Sequence, residues 1–111
     1  MIDGYKFDRD TAPLTITSNS ANNVLKVYYV KDSFDYTVEY YYDGIKDDSK
    51  TEGPTKAEFA SQITSYTDKN IDGYKLDKTE NLPLTITSNS ANNVIRVYYI
   101  KDSFDYTVEY Y

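Results

Sequence analysis

The chain has 111 residues, a formal net charge of −6, and no cysteine or histidine. The acidic balance argues against nucleic acid and anionic membrane surfaces as partners, because both are bound through clustered Lys and Arg. The missing cysteines exclude disulfides and thiolate metal sites, and no apolar run reaches the ~18 residues of a membrane-spanning helix, so no membrane insertion is expected.

One segment occurs twice. Pro13–Tyr41 returns as Pro83–Tyr111, differing only at Leu25/Ile95, Lys26/Arg96 and Val30/Ile100, and Ile2–Lys6 returns as Ile71–Lys75. The spacing gives a period of about 70 residues, the signature of a tandem array. Residues 1–31 are expected to be the C-terminal half of a preceding repeat, 36–102 one complete repeat, and 104–111 the first strand of a following one, within a longer array. Tyrosine supplies 14 of the 18 aromatic residues, which favours strands.

In chain order, Tyr36–Tyr42 alternates, with Val38 and Tyr40 on one face and Thr37, Glu39 and Tyr41 on the other, as a half-buried strand does. Asp43-Gly44 signals a turn, and the polar Lys46–Glu52 reads as an edge strand or a loop. After Pro54, Thr55–Glu58 fits a capping box, and Phe59 and Ile63 stand i,i+4, which predicts one helix of about two turns. Asp72-Gly73 turns into a strand at Tyr74–Asp77, and Pro83 introduces Leu84–Thr87, with Leu84 and Ile86 inward. Ser88–Asn93 is a loop by composition. Val94–Ile100 is the last strand, with Ile95, Val97 and Tyr99 on the core face and Arg96 and Tyr98 on the other. Lys31–Asp35 and Lys101–Asp105 are read as short linkers.

The succession YTVEYYYDG at Tyr36–Gly44, a short helix, DGYKL at Asp72–Leu76, LTIT at Leu84–Thr87 and NVIRVYYIKD at Asn93–Asp102 resembles the mucin-binding-protein type repeat found in tandem in surface proteins of Gram-positive bacteria. The resemblance implies an α+β fold, a small ubiquitin-like β-grasp in which a mixed sheet packs on one short helix per repeat. It also implies that the first and last strands lie parallel and adjacent at the centre, and that the protein is extracellular, on the bacterial cell surface or cell wall. Lys46–Glu52 is more charged than the pattern asks of a second strand.

Sites for chemistry are sparse. Asp68, Asn70 and Asp72 with Gly73 satisfy D-x-N-x-D-G, the opening of a calcium loop, but position twelve is Thr79 where a bidentate carboxylate is needed. A polar turn with Gly73 at positive φ is the favoured reading, so no metal and no cofactor are expected. Without histidine or cysteine, and with carboxylates in solvated turns, no enzyme is expected. A self-formed isopeptide crosslink would need a buried Lys, yet Lys26 is exchanged for Arg96, and Lys6/Lys75 and Lys31/Lys101 fall at strand ends.

Tyr28, Tyr41, Tyr98 and Tyr111 fall on the non-core face, where exposed rings stack on sugars or simply cover the sheet. The overall expectation is a non-enzymatic repeat module of a cell-surface adhesin or stalk, acting as a mechanically resistant spacer. The alternative is a ligand-binding module for mucin glycans or a host glycoprotein. Because the half-repeat lacks a first strand and Tyr106–Tyr111 is a surplus copy of it, self-association of Tyr106–Tyr111 with Val24–Val30 is also expected.

Overall fold

The alternation of Phe34, Tyr36, Val38, Tyr40 and Tyr42 runs without a break through a ten-residue strand, and the rest of the complete unit is built on it. The computed structural model describes residues 2–111, an elongated molecule of 106 × 21 × 15 Å. The strands are β1 (Tyr5–Asp10), β2 (Val27–Lys31), β3 (Ser33–Tyr42), β4 (Ile45–Lys46), β5 (Glu52–Glu58), β6 (Gln62–Ile63), β7 (Tyr74–Glu80), β8 (Leu84–Thr85) and β9 (Val94–Lys101). In the half-repeat, β1 and β2 form a two-stranded antiparallel ribbon. In the complete unit the order is β4-β3-β9-β7, with β5 also antiparallel to β3, while β6 and β8 form a separate short pair.

The parallel neighbours at the centre are β3 and β9, in register from Thr37 opposite Val94 to Tyr42 opposite Tyr99. The core lies on one face of this pair: Val38, Tyr40, Tyr42, Leu84, Ile86, Ile95, Val97 and Tyr99 are buried. The alternation read from the sequence identifies all of these except Tyr42. The β3–β4 connection is a two-residue hairpin with Asp43 at φ 51° and Gly44 at φ 78°, both in the left-handed region that such turns demand. β7 extends to Glu80, past the predicted end at Asp77, because a shifted register between Leu76 and Lys78 keeps it paired with β9.

The expected α+β, β-grasp architecture is overturned. Among the described residues the only helical segments are three-residue 3₁₀ turns at Ser20–Asn22, Asp48–Lys50 and Ser90–Asn92, and the chain carries several separate sheets. The predicted helix is instead the end of strand β5, with Thr55 opposite Tyr36 and Ala57 opposite Phe34, then a turn at Phe59–Ala60 and the short β6. Two helical turns are a weak element in water, whereas β5 satisfies the free edge of the long β3. Gly53 makes this possible: it sits at φ 103° beside the register shift between Tyr36 and Val38, where a Cβ would come within 2.8 Å of the Tyr36 carbonyl oxygen.

Hydrogen bonding explains what covers the core in place of a helix. Tyr40 Oη donates to the Thr67 carbonyl at 2.7 Å and Tyr42 Oη to the Lys69 carbonyl. Tyr99 Oη donates to Asp68 Oδ1 at 2.7 Å and accepts from the Lys69 N–H at 3.0 Å. A helix would consume those carbonyls internally; an extended strap leaves them open to the tyrosines.

Candidate functional site

Two features of the fold bear on function: the junction between the half-repeat and the complete unit, and the outer face of the β3–β9 pair.

At the junction, Lys31–Asp35 is not a linker. β2 ends at Lys31 and β3 begins at Ser33, leaving Asp32 alone between them, because Phe34 and Asp35 are drawn into pairing with β5. The backbone of Asp32 is shared: its N–H donates to the Gly4 carbonyl at 2.8 Å, and its carbonyl accepts from the Phe59 N–H at 2.8 Å. Gly4 belongs to the half-repeat and Phe59 to the complete unit. The Phe59 ring lies against Gly4 and packs edge-on with Tyr5 and Phe34, at centroid distances of 6.0 and 6.1 Å. Asp102 repeats the first half of this arrangement, its N–H donating to the Gly73 carbonyl at 2.8 Å.

On the outer face, the register brings Glu39 opposite Arg96 and Tyr41 opposite Tyr98, with Glu80 and Lys78 beyond them on β7. Glu39 is the hub, accepting from Tyr41 Oη at 3.0 Å and pairing with Lys46 Nζ at 2.8 Å and Arg96 Nε at 3.4 Å. Lys46 reaches Glu39 from β4 and Arg96 from β9, and the Glu39 side chain is only 17% exposed. Burial pushes the Glu39 carboxyl up, but the Lys46 ammonium, the Tyr41 hydroxyl and Arg96 outweigh it and hold the carboxyl below its ordinary range. Hydrogen bonding to Glu80, with burial, pushes the Tyr98 hydroxyl up to about 12.

The tyrosine candidates divide between settings. Tyr41 and Tyr98 stack at 4.9 Å with 20° between their planes, and the Lys78 ammonium lies 5.0 Å from the Tyr98 centroid. Tyr98 thus gives one ring face to Tyr41 and the ring to a cation as well, which leaves little surface for a sugar. Tyr28 carries the Arg9 guanidinium at 4.5 Å, and Tyr111 is fully exposed.

No family model, curated protein or solved structure matches this chain. Any functional reading therefore rests on geometry.

The calcium-like motif is put to other use. Asp68 Oδ1 accepts from Tyr99 Oη and from the Asn70 N–H, and the Tyr99 bond is the main reason its carboxyl is held low. Gly73 has φ 87°, and Asn70 and Asp72 are exposed. Among the described residues no group of three or more acidic, His or Cys side chains is placed to hold a metal ion. Lys6, Lys31, Lys75 and Lys101 are exposed. A cavity of about 240 Å³ opens between Tyr36, Tyr40, Glu52, Thr55 and Tyr66, below the ~300 Å³ at which pockets for small organic ligands begin.

Composition gave no warning of the part played by Phe59, Gly4, Asp32 and Asn93. Asn93 lies in the segment read as loop, yet it is completely buried. Its Oδ1 accepts from the Thr87 N–H and hydroxyl, and its Nδ2 donates to the carbonyls of Thr87 and Asp35. The available signal was the recurrence of Gly-Tyr and Asn-Asn at matched positions of both copies.

Proposed function

We propose that this chain is a non-enzymatic tandem-repeat module of a bacterial cell-surface adhesin or stalk, acting as a mechanically resistant spacer outside the cell. The observation that carries this reading is the parallel, in-register pairing of β3 and β9, the strands by which the chain enters and leaves the complete unit. The start of β3 and the end of β9 lie at opposite ends of that pair. Tension along the chain therefore loads the whole ladder in shear, and its hydrogen bonds must fail together rather than one by one. The one-residue connection at Asp32, with both backbone groups held, supports a stiff column over loosely tethered beads. The likeness to mucin-binding-type repeats rests on the strand sequences and carries no helix.

Pulling the chain from its two ends in a single-molecule force experiment tests this. The expected record is one cooperative rupture of the complete unit, releasing roughly 200 Å of chain for its ~70 residues. Gradual extension at low force, with no discrete rupture, overturns the spacer reading.

A further inference from the structure

The duplication supplies an internal control, since the same residues appear once with a neighbouring first strand and once without. Where β3 is present, Ile86, Val97 and Ile95 are 1%, 0% and 0% exposed; in the half-repeat Ile16, Val27 and Leu25 are 72%, 50% and 49% exposed. The strand itself shortens: β9 starts at Val94, but β2 starts only at Val27. β2 is paired with β1 along one edge, and among the described residues its other edge has no strand beside it.

The missing strand is present elsewhere in the chain. Phe104–Tyr111 repeats the sequence of Phe34–Tyr41, yet among the described residues it pairs with nothing, and Tyr110 is 92% exposed where its counterpart Tyr40 is 0%. The complete unit separates this segment from β2 along an elongated molecule, so the two do not meet within one chain.

We infer that Tyr106–Tyr111 of one molecule adds as a parallel strand to the open edge of Val24–Val30 in a second copy, reproducing the β3–β9 pair between molecules. The internal template fixes the register. Thr107 falls opposite Val24, Val108 opposite Leu25, Glu109 opposite Lys26, Tyr110 opposite Val27, and Tyr111 opposite Tyr28, by equivalence with Thr37–Tyr41 on Val94–Tyr98.

The polar partners match as well. Asn23 already accepts from the Thr17 N–H and hydroxyl and donates to the Thr17 carbonyl, as Asn93 does with Thr87. Asn93 spends its second amide proton on the Asp35 carbonyl, and the counterpart of Asp35 is Asp105. Asn23 therefore holds a donor ready for Asp105 of the incoming strand. Glu109 takes the place of Glu39 beside Lys26, and Tyr111 that of Tyr41 against Tyr28, whose ring already carries Arg9 as Tyr98 carries Lys78. The four tyrosines of the outer face thereby become two equivalent stacks. Because the contact joins unlike surfaces of the two copies, it is heterologous, and successive contacts of this kind give filaments or closed rings.

Sedimentation velocity across a concentration series of the full chain tests the inference, with mass rising with concentration as the expected result. Thr107→Pro removes the equivalent of the Thr37 N–H, which donates to the Asn93 carbonyl across the β3–β9 pair, from a segment that is unpaired in the monomer, and should abolish association while leaving the melting temperature unchanged. Asn23→Ala should weaken association about tenfold, the worth of one buried hydrogen bond. For register, the double variant Leu25→Cys with Val108→Cys should form intermolecular disulfides far more readily than Val27→Cys with Val108→Cys. A clean monomer at the highest concentration, association that survives Thr107→Pro, or equal crosslinking of the two cysteine pairs overturns it.

Discussion

The Phe59 ring fills the space that a side chain on Gly4 would need: a Cβ built on Gly4 would stand 2.4 Å from Phe59 Cγ. Gly4 also sits at φ 80°, where any L-residue costs about 1–2 kcal/mol. Gly4→Ala should therefore displace Phe59 and free the half-repeat to swing. Small-angle scattering should show a broader spread of molecular dimensions, and amide exchange at Asp32 and Phe59 should accelerate. The complete unit should melt somewhat lower as well, since Phe59 packs on Phe34, which borders its core.

The two copies of the repeat allow matched substitutions. Ile86→Ala in the buried copy should cost about 2–5 kcal/mol, the range for emptying a packed aliphatic site. Ile16→Ala, the same change at a position 72% exposed, should stay within ~0.5 kcal/mol. Urea denaturation of the two variants gives the comparison directly.

Asn93→Ala strips the Thr87 N–H and hydroxyl of their acceptor and empties a fully buried polar position, and should destabilise the complete unit by about 1–3 kcal/mol. Because Asn93 also ties the 87–93 segment to β3 through Asp35, the rupture force of the unit should fall with its equilibrium stability. Asn23→Ala leaves both unchanged in the monomer.

Alkali should unfold the complete unit through its buried tyrosines. Burial, with the Glu52 carboxylate and neighbouring groups, pushes the Tyr40 hydroxyl up to about 12, and burial together with the Asp68 bond pushes Tyr99 higher still. An unfolded tyrosine ionises near 10, so the unfolded chain sheds protons that the folded unit retains. Their contribution is whole below pH ~10 and is lost as pH rises through ~12. Tyrosinate absorbance should climb together with loss of strand circular dichroism in that window, and Tyr40→Phe should make the fall shallower.

In acid the sign reverses. Glu39 and Asp68 are held low in the folded state, so their contributions are present above the ordinary carboxylate range and disappear as pH falls below it. Glu39→Gln should flatten that acid limb while leaving the alkaline one as it is. The melting temperature should not rise on calcium addition, because Asp68 is committed to Tyr99.

Strand positions were legible where alternation was long and uninterrupted. Val38, Tyr40, Ile95, Val97 and Tyr99 could be read as core because each lies two residues from the next along its strand. Tyr42 was missed because it abuts the Asp43 turn, where period-two reasoning stops. The helix at Thr55–Ile63 failed for a physical reason: a capping box is a local preference of about 1 kcal/mol, and it was outweighed by the open edge of β3, which no local window contains. Burial proved a property of context rather than of sequence, since Val97 and Val27 have the same immediate neighbours Tyr98-Tyr99 and Tyr28-Tyr29 and opposite environments. The junction residues were invisible because their partners, Gly4 and Phe59, are far apart in the chain and neither is chemically conspicuous.

Asp32 has a geometric consequence of its own. Side chains change face at every step along a strand, so a one-residue spacer held at both backbone groups fixes not only the distance but the rotation from one unit to the next. Repeating a single rigid rotation and translation generates a screw, and Asp102 restates the first contact of that step. A column built from such units has a defined pitch and hand, and inserting one residue beside Asp32 would reset both without disturbing the core of any unit.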